Sequence, residues 1–101
     1  MSGEPADLRT FTVATFSPLI GGVFRLRHGD GDTMETRLIE ATAHGPGPSR
    51  EQFSLVFQGT AEVVLPQRTY TVDNDDLGTF DLFLVPIARD AEGTRYEAVF
   101  A

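Results

Sequence analysis

Apolar and polar residues alternate with a period of two along most of this chain. The alternation begins at Val23 and ends at Phe100, and short stretches rich in Gly, Pro and Asp interrupt it. A period of two places successive side chains on opposite faces of a β-strand, whereas a helix has a period near 3.6. The pattern therefore predicts six short strands, over residues 23–28, 33–42, 51–58, 69–72, 79–87 and 94–100.

These strands, separated by turn residues and preceded by one helical stretch, predict an all-β fold. We expect a small antiparallel six-stranded meander that closes into a barrel or a tight sandwich. Thr12 is a suitable N-cap for a helix over residues 13–20, in which Phe16, Leu19 and Ile20 share an apolar face. An internal proline limits this helix to one or two turns, partly of 3₁₀ type. Such a helix would plug one opening of the barrel or cover one face of the sheet.

The alternation also predicts the core and the extent of the domain. Residues 1–10 show no periodicity, so we expect a flexible N-terminal tail followed by a single β domain over residues 11–101. The expected core consists of Phe16, Phe24, Leu26, Phe53, Leu55, Phe57, Tyr70, Phe80, Leu82, Leu84, Tyr96 and Phe100.

The composition excludes several classes of protein. The 101 residues include no Cys and carry a formal net charge of -7, of which about -1 falls in residues 1–50 and about -6 in residues 51–101. Without Cys the chain has no disulfide, thiolate zinc site or thiol nucleophile. Nucleic-acid binding needs Lys and Arg clustered on one surface, so an acidic chain with scattered Arg argues against it.

The sequence shows no targeting or membrane segment. Its first residues, MSGEPADLRT, lack the apolar stretch of a signal peptide. No apolar run approaches the roughly 18 residues of a membrane span. We therefore expect a cytoplasmic location, either free or within an assembled particle, and no membrane partner.

Two histidines lie near polar residues that resemble elements of a site. His28 with Asp30 and Asp32 resembles a minimal metal or acid–base cluster. These residues lie in and beside a predicted hairpin loop, however, where Asp stabilises turns, so turn chemistry is favoured. His44 has no nucleophile nearby in sequence, and we interpret it as an exposed histidine of the loop over residues 43–50.

An acidic run, Asp73-Asn74-Asp75-Asp76, suggests calcium binding, but Leu77 and Leu84 occupy two positions where a calcium loop needs oxygen ligands. A solvated turn before the fifth strand is the favoured interpretation, and weak cation binding is the alternative.

No Ser lies in a nucleophile-elbow motif, although two distant carboxylates could still meet across the fold. We therefore predict a protein that is not an enzyme, with no catalytic, cofactor or metal site.

The fifth strand is the least usual part of the sequence. Within residues 80–87 the strand is apolar on both sides after Asp81. One side belongs to the predicted core, and the other is lined by Phe83, Val85 and Ile87, which we identify as a candidate interface. The N-terminal helix or a partner subunit must cover this second face. A proline near the end of the strand predicts an edge or a bulge there.

Five segments resemble a family of bacterial domains of unknown function that are about 100 residues long. They are FSPLIGGVFRL at 16–26, FSLVFQG at 53–59, LPQRTY at 65–70, LGTFDLFLVPI at 77–87 and YEAVF at 96–100. The resemblance implies no catalytic residues. Genes of that family often lie beside genes for phage-tail-collar-like proteins, so the resemblance implies an accessory role in a tail-like or surface-fibre assembly.

Two functions follow as hypotheses. The first is a non-enzymatic structural or adaptor protein that presents an apolar strand face and an acidic rim to a protein partner or to a second copy. The alternative is a small β-barrel module that binds a small molecule or a carbohydrate. A binding module needs a concave pocket with converging polar groups, whereas an adaptor needs an exposed apolar patch.

Overall fold

A computed structural model describes residues 10–29, 31–47 and 51–100, and within them the predicted all-β fold with one short N-terminal helix is confirmed. Helix α1 (Val13–Phe16) continues into a 3₁₀ turn (Ser17–Leu19), as the internal proline predicts. The strands are β1 (Val23–His28), β2 (Asp32–Pro46), β3 (Glu51–Gly59), β4 (Arg68–Asn74), β5 (Gly78–Asp90) and β6 (Gly93–Phe100). Residues 1–9 of the predicted tail lie outside the described residues.

The strands form one closed antiparallel ring in the order β1-β2-β3-β6-β5-β4, and β4 pairs back with β1. The order departs from a single meander, because β3 lies beside β6 instead of β4. The ring therefore consists of two three-stranded meanders. Residues 60–67, which join them, cross one end of the ring, where Leu65 is buried and its N–H donates to the hydroxyl of Tyr96 at 2.9 Å.

Hydrogen bonding around the ring is uneven at β5. This strand pairs with β4 over Gly78–Leu84 and with β6 over Val85–Asp90. The sheet closes, but it is not a regular barrel, because β5 changes partner halfway along its length. The β5–β6 register shifts between Pro86 and Ala88, which confirms the bulge that the proline predicts.

The core fills the ring, and all the predicted core side chains are buried. The helical segment plugs one end with Phe16, which is fully buried. Phe11 adds a second ring, whose centroid lies 5.2 Å from that of Phe16 and 5.4 Å from that of Phe80. Edge-to-face aromatic contacts of this kind stabilise a core beyond their buried area. Phe16 also lies against the rings of Phe24, Phe53, Phe80 and Phe100.

The predicted apolar face of the helix is only partly correct. Leu19 packs against the core, but Ile20 is 50% exposed. The helical conformation ends at Leu19, and the extended backbone of Ile20 turns its side chain away from the ring. Gly21 follows with φ of 90°, and its N–H donates to the carbonyl of Leu38 on β2 at 2.7 Å.

The first hairpin forms as predicted, whereas the second strand is longer than predicted. His28 pairs with Asp32 at the end of the β1–β2 ladder, and Asp30 of the predicted cluster lies outside the described residues. Strand β2 continues to Pro46, so Ala43, Gly45 and Pro46 of the predicted loop are paired with β3. Register shifts after Leu38 and Ala43 accompany this extension, and such bulges let a long strand bend around a ring.

Candidate interaction surface

The predicted second face of β5 lies on the outside of the ring. Phe83 is 51% exposed, Ile87 is 49% exposed, and Val85 between them is half-buried. The N-terminal helix does not cover them, because Phe16 of the helix and Phe11 before it enter the end of the ring beside the inward-facing Phe80. Of the two covers considered above, the N-terminal helix is therefore not the one that covers this face.

A neighbouring apolar side chain extends this face onto β6. Val99 is 65% exposed. The β5–β6 ladder ends at the pair formed by Val85 and Glu97, and the same register continued by two residues places Phe83 opposite Val99. Both side chains point outward, since the alternate residues of each strand are in the core.

The loop between β3 and β4 adds two further apolar side chains beside the C-terminal half of β5. Val63 and Val64 are 43% and 45% exposed. Two hydrogen bonds hold this loop against the sheet, from Arg89 Nε to the carbonyl of Ala61 at 2.9 Å and from the Tyr96 hydroxyl to the carbonyl of Val63 at 3.4 Å. We define the apolar outer face as Phe83, Val85, Ile87 and Val99; Val63 and Val64 belong to the loop that crosses the end of the ring and are not counted in it.

This face holds half of the large exposed apolar side chains in the described part of the chain. Of the six such residues there, Phe83, Ile87 and Val99 belong to the apolar outer face, and the others are Ile20, Val63 and Val64. Single exposed apolar residues are common on protein surfaces, but a contiguous group marks a site of association.

Two acidic side chains border the apolar outer face. Glu97 pairs with Val85 across the ladder, and Asp81 lies two residues before Phe83 on the same side of β5. The hydroxyl of Thr71 donates to Asp81 at 3.0 Å. Neither carboxylate forms an ion pair with another described residue.

The outer side of β1 and β4 has the opposite character, and we call it the charged outer face. Arg25 contacts Asp75 at 2.9 Å, and Arg27 donates two hydrogen bonds to Asp73 at 2.7 and 2.8 Å. Thr79 also donates to Asp73, at 2.7 Å. The hydrogen bond from Arg27 is the largest of the effects that lower the pKa of Asp73, and it raises the pKa of Arg27 in turn.

The acidic run forms the turn between β4 and β5, as predicted. The side chain of Asn74 organises this turn, because its Oδ1 accepts from the backbone N–H groups of Asp76 and Leu77, both at 2.9 Å. Its Nδ2 donates to the carbonyl of Val23 at 3.1 Å and so ties the turn to β1. Within the described ranges, no three His, Asp or Glu side chains converge as metal ligands do.

Residues 11–100 match the family described as a domain of unknown function, DUF6916. The chain belongs to this family. The match confirms the predicted membership of a family of unknown function, and it spans the plug, the ring and both outer faces. No curated protein and no solved structure matches the chain. None of the described helices of this DUF6916 domain is long and apolar enough to cross a membrane.

One contact in this DUF6916 domain contradicts the sequence interpretation. His44 is exposed, as predicted, but it lies on β2 at a register shift instead of in a loop, and its Nε2 is 2.8 Å from Oγ of Ser54 on β3. Ser54 is only 7% exposed, so the imidazole satisfies a hydroxyl that the sheet has removed from water. We interpret the pair as structural, since nucleophilic catalysis also needs an oriented acid and oxyanion donors. No sequence signal revealed it, because it depends on the bulge.

Proposed function

We propose that this DUF6916 domain is a non-enzymatic structural or adaptor protein that binds a protein partner through the apolar outer face. The observation that carries the proposal is the cluster of half-exposed side chains along β5 and β6, led by Phe83, Ile87 and Val99. Folding of the chain alone leaves them in water, and a partner would bury them.

Burial of this face by a partner is expected to contribute measurably to the free energy of binding. Complete burial of one large apolar side chain contributes about 1.5–3 kcal/mol relative to full exposure. Phe83 and Ile87 are about half exposed, so each still has roughly 1 kcal/mol to contribute to a complex. A central apolar group surrounded by a polar rim is also the usual arrangement of a protein interface.

The filled interior favours an adaptor over a module that binds a small molecule or carbohydrate. Core side chains occupy the ring, with Phe16 at one end and Leu65 at the other. The interior contacts are those of a packed core, and the rings of Phe53 and Phe100 stack at 4.2 Å. A small ligand inside the ring would have to displace these side chains.

The setting that we propose is an accessory role in a phage-tail-like or surface-fibre assembly, in the cytoplasm or in the assembled particle. The resemblance supports this setting through its implied gene neighbourhood. Particles of this kind are built from contacts between small proteins, and an exposed apolar face bordered by two acidic side chains is suited to such contacts.

The test is a charge placed on the apolar outer face. We expect Phe83→Glu to abolish capture of the partner in a pull-down from the native host, read by mass spectrometry, because binding would bury the new carboxylate. Thr33→Glu is the matched control, since Thr33 is exposed on β2, across the ring from β5. Light scattering reports whether the partner is a second copy. Unchanged capture by a folded Phe83→Glu protein would contradict the proposal.

A further inference from the structure

The two most exposed side chains of the apolar outer face lie between two carboxylates. Phe83 on β5 and Val99 on β6 are opposite each other when the β5–β6 register is continued. Asp81 comes two residues before Phe83 and points to the same outer side. Glu97 pairs with Val85. Because Val85 comes two residues after Phe83, Glu97 lies beyond the opposite end of the apolar pair.

Strand geometry gives the spacing of the two acidic residues. Asp81 and Val85 are four residues apart on β5, and a strand rises about 3.4 Å per residue. Glu97 lies one strand away from Val85, about 4.8 Å across the sheet. The backbones of Asp81 and Glu97 are therefore roughly 14 Å apart, and the apolar pair lies between them.

The charge around the apolar pair is negative. Asp81 is exposed and Glu97 is half-buried. Arg95 points to the same outer side of β6 as Glu97, but it donates to Asp90 at 2.7 Å, which offsets its charge. Residues 51–101, which include both strands, carry about -6 of the formal net charge of -7. A partner that approaches this face therefore meets apolar area in a negative potential.

This order of groups indicates the chemistry of the partner. Basic side chains beside the two carboxylates would be attracted, whereas acidic side chains there would be repelled. A second copy of this chain is the less suitable occupant, because a shared face would bring its own Asp81 and Glu97 to the interface and its net charge is also -7. The complementary surface has an apolar group between two basic groups.

We propose that the partner protein presents an apolar side chain flanked by two basic side chains to the apolar outer face. The apolar side chain contacts Phe83 and Val99, and the basic side chains lie beside Asp81 and Glu97. This inference rests on the proposed function and names the chemistry of the partner. The apolar contact supplies affinity, and the two charges select the partner and fix its orientation.

The test compares peptides of all compositions. A displayed library of random short peptides is first depleted on Phe83→Ser, which removes peptides that bind elsewhere, and is then selected on the full parent chain. We expect the enriched peptides to carry Lys or Arg on both sides of an apolar residue. Selection on the double variant Asp81→Lys with Glu97→Lys should enrich Asp and Glu at those positions instead.

An enriched peptide is then synthesised, and its binding to the full chain is measured by fluorescence anisotropy. Asp81→Asn with Glu97→Gln removes both charges and keeps the side-chain shapes, so it should weaken binding about tenfold. Asp32→Asn with Glu35→Gln is the matched control, because both residues are exposed on β2, across the ring from β5. The control should bind as the parent does. Sodium chloride should weaken binding to the parent more than binding to the neutralised variant.

The outcomes separate this inference from the proposed function. Enriched peptides without basic residues would overturn the inference, as would equal binding to the parent and to the neutralised variant. Failure of the library to yield a peptide that depends on Phe83 would also overturn it. Partner capture that depends on Phe83 would still stand in each case. A dimer in light scattering that the peptide does not dissociate would assign the face to a second copy and would overturn the inference.

Discussion

The outer surface of the ring has two unlike sides. On the charged outer face, Arg25 and Arg27 each contact a carboxylate of β4 or of the turn that follows it. On the apolar outer face, Phe83 and Val99 remain more than half exposed. The first side satisfies its own polar groups, whereas the second leaves apolar area that folding does not bury. The comparison indicates that the ring is stabilised from within, and an exposed apolar face of this kind is what the proposed association would use.

The change between the two sides occurs within β5. Thr79 and Asp81 exchange hydrogen bonds with side chains of β4. The next two outward residues, Phe83 and Val85, are apolar, and at this point β5 leaves β4 and joins β6. The chemistry of the outer face therefore changes where the strand changes its partner.

The largest expected change in the free energy of unfolding distinguishes the inward-facing from the outward-facing side of β5. Leu82 is 4% exposed, so Leu82→Ala should lower the free energy of unfolding by about 2–5 kcal/mol through lost burial and a cavity. Phe83→Ala should cost about 1 kcal/mol or less, because the ring of Phe83 is half exposed. Urea denaturation measures both. Equal losses would show that Phe83 is a core residue and would remove the basis of the comparison.

The next effect concerns the turn at the edge of the charged outer face. Asn74→Ala removes three side-chain hydrogen bonds from a residue that is 6% exposed, and we expect a loss of about 2–3 kcal/mol in the free energy of unfolding. Asn74→Asp keeps the two acceptor bonds but turns a carboxylate oxygen towards the carbonyl of Val23, so it should also lower the free energy of unfolding. If both variants were as stable as the parent, Asn74 would not organise the turn.

The sequence predicted the parts of the fold that depend on local pattern. Alternation located the strands and the core, and Pro86 located the bulge in β5. The sequence did not predict which strand is buried on both sides. It pointed to β5, but β3 is the strand in which outward residues, Ser54 and Val56, are only 7% exposed.

The sequence could not predict this strand, because the burial of outward-facing side chains depends on which strands are neighbours in the ring. Val56 lies between Glu40 of β2 and Glu97 of β6, and the pairing of β3 with β6 follows from the path of residues 60–67. Alternation carries no information about that path. For the candidate interface, the sequence identified the three residues on β5, and it missed Val99, which becomes their neighbour only through the β5–β6 register.

A smaller effect, the dependence of stability on pH, tests the ion pair between Arg27 and Asp73. The pKa of Asp73 is lowered from 3.8 in the folded protein, chiefly by the hydrogen bond from Arg27. A lowered pKa contributes stability that is present above the ordinary value and is lost as the pH falls through the folded value. Arg27 is 54% exposed, so screening by solvent should keep the contribution small.

Urea denaturation at pH 7 and near pH 3 measures this contribution. Arg27→Gln should lower stability at pH 7 and reduce the further loss on acidification. Arg89→Gln is the control, because Arg89 donates to a backbone carbonyl beside the apolar outer face and its removal should leave the pH dependence unchanged. The same pH dependence in all three proteins would show that the pair with Asp73 contributes nothing.

The smallest expected effect is that of calcium on the acidic turn. The carboxylates of Asp73 and Asp75 already contact Arg27 and Arg25, and Oδ1 of Asn74 accepts two backbone N–H groups. A cation would have to displace these groups, so millimolar calcium should raise Tm by no more than about a degree or two.

A true site would give a much larger shift. Binding at a hundredfold excess over Kd stabilises by about 2.7 kcal/mol, and each kcal/mol raises Tm by roughly 4–8 °C in a domain of this size. Sodium chloride at equal ionic strength controls for screening of the ion pairs. The double variant Arg25→Gln with Arg27→Gln frees both carboxylates and should respond to calcium more than the parent does. A large rise in the Tm of the parent would mean that calcium displaces Arg25 and Arg27 from their carboxylates. The charged outer face would then be a cation-binding site and not a surface whose charges pair with each other.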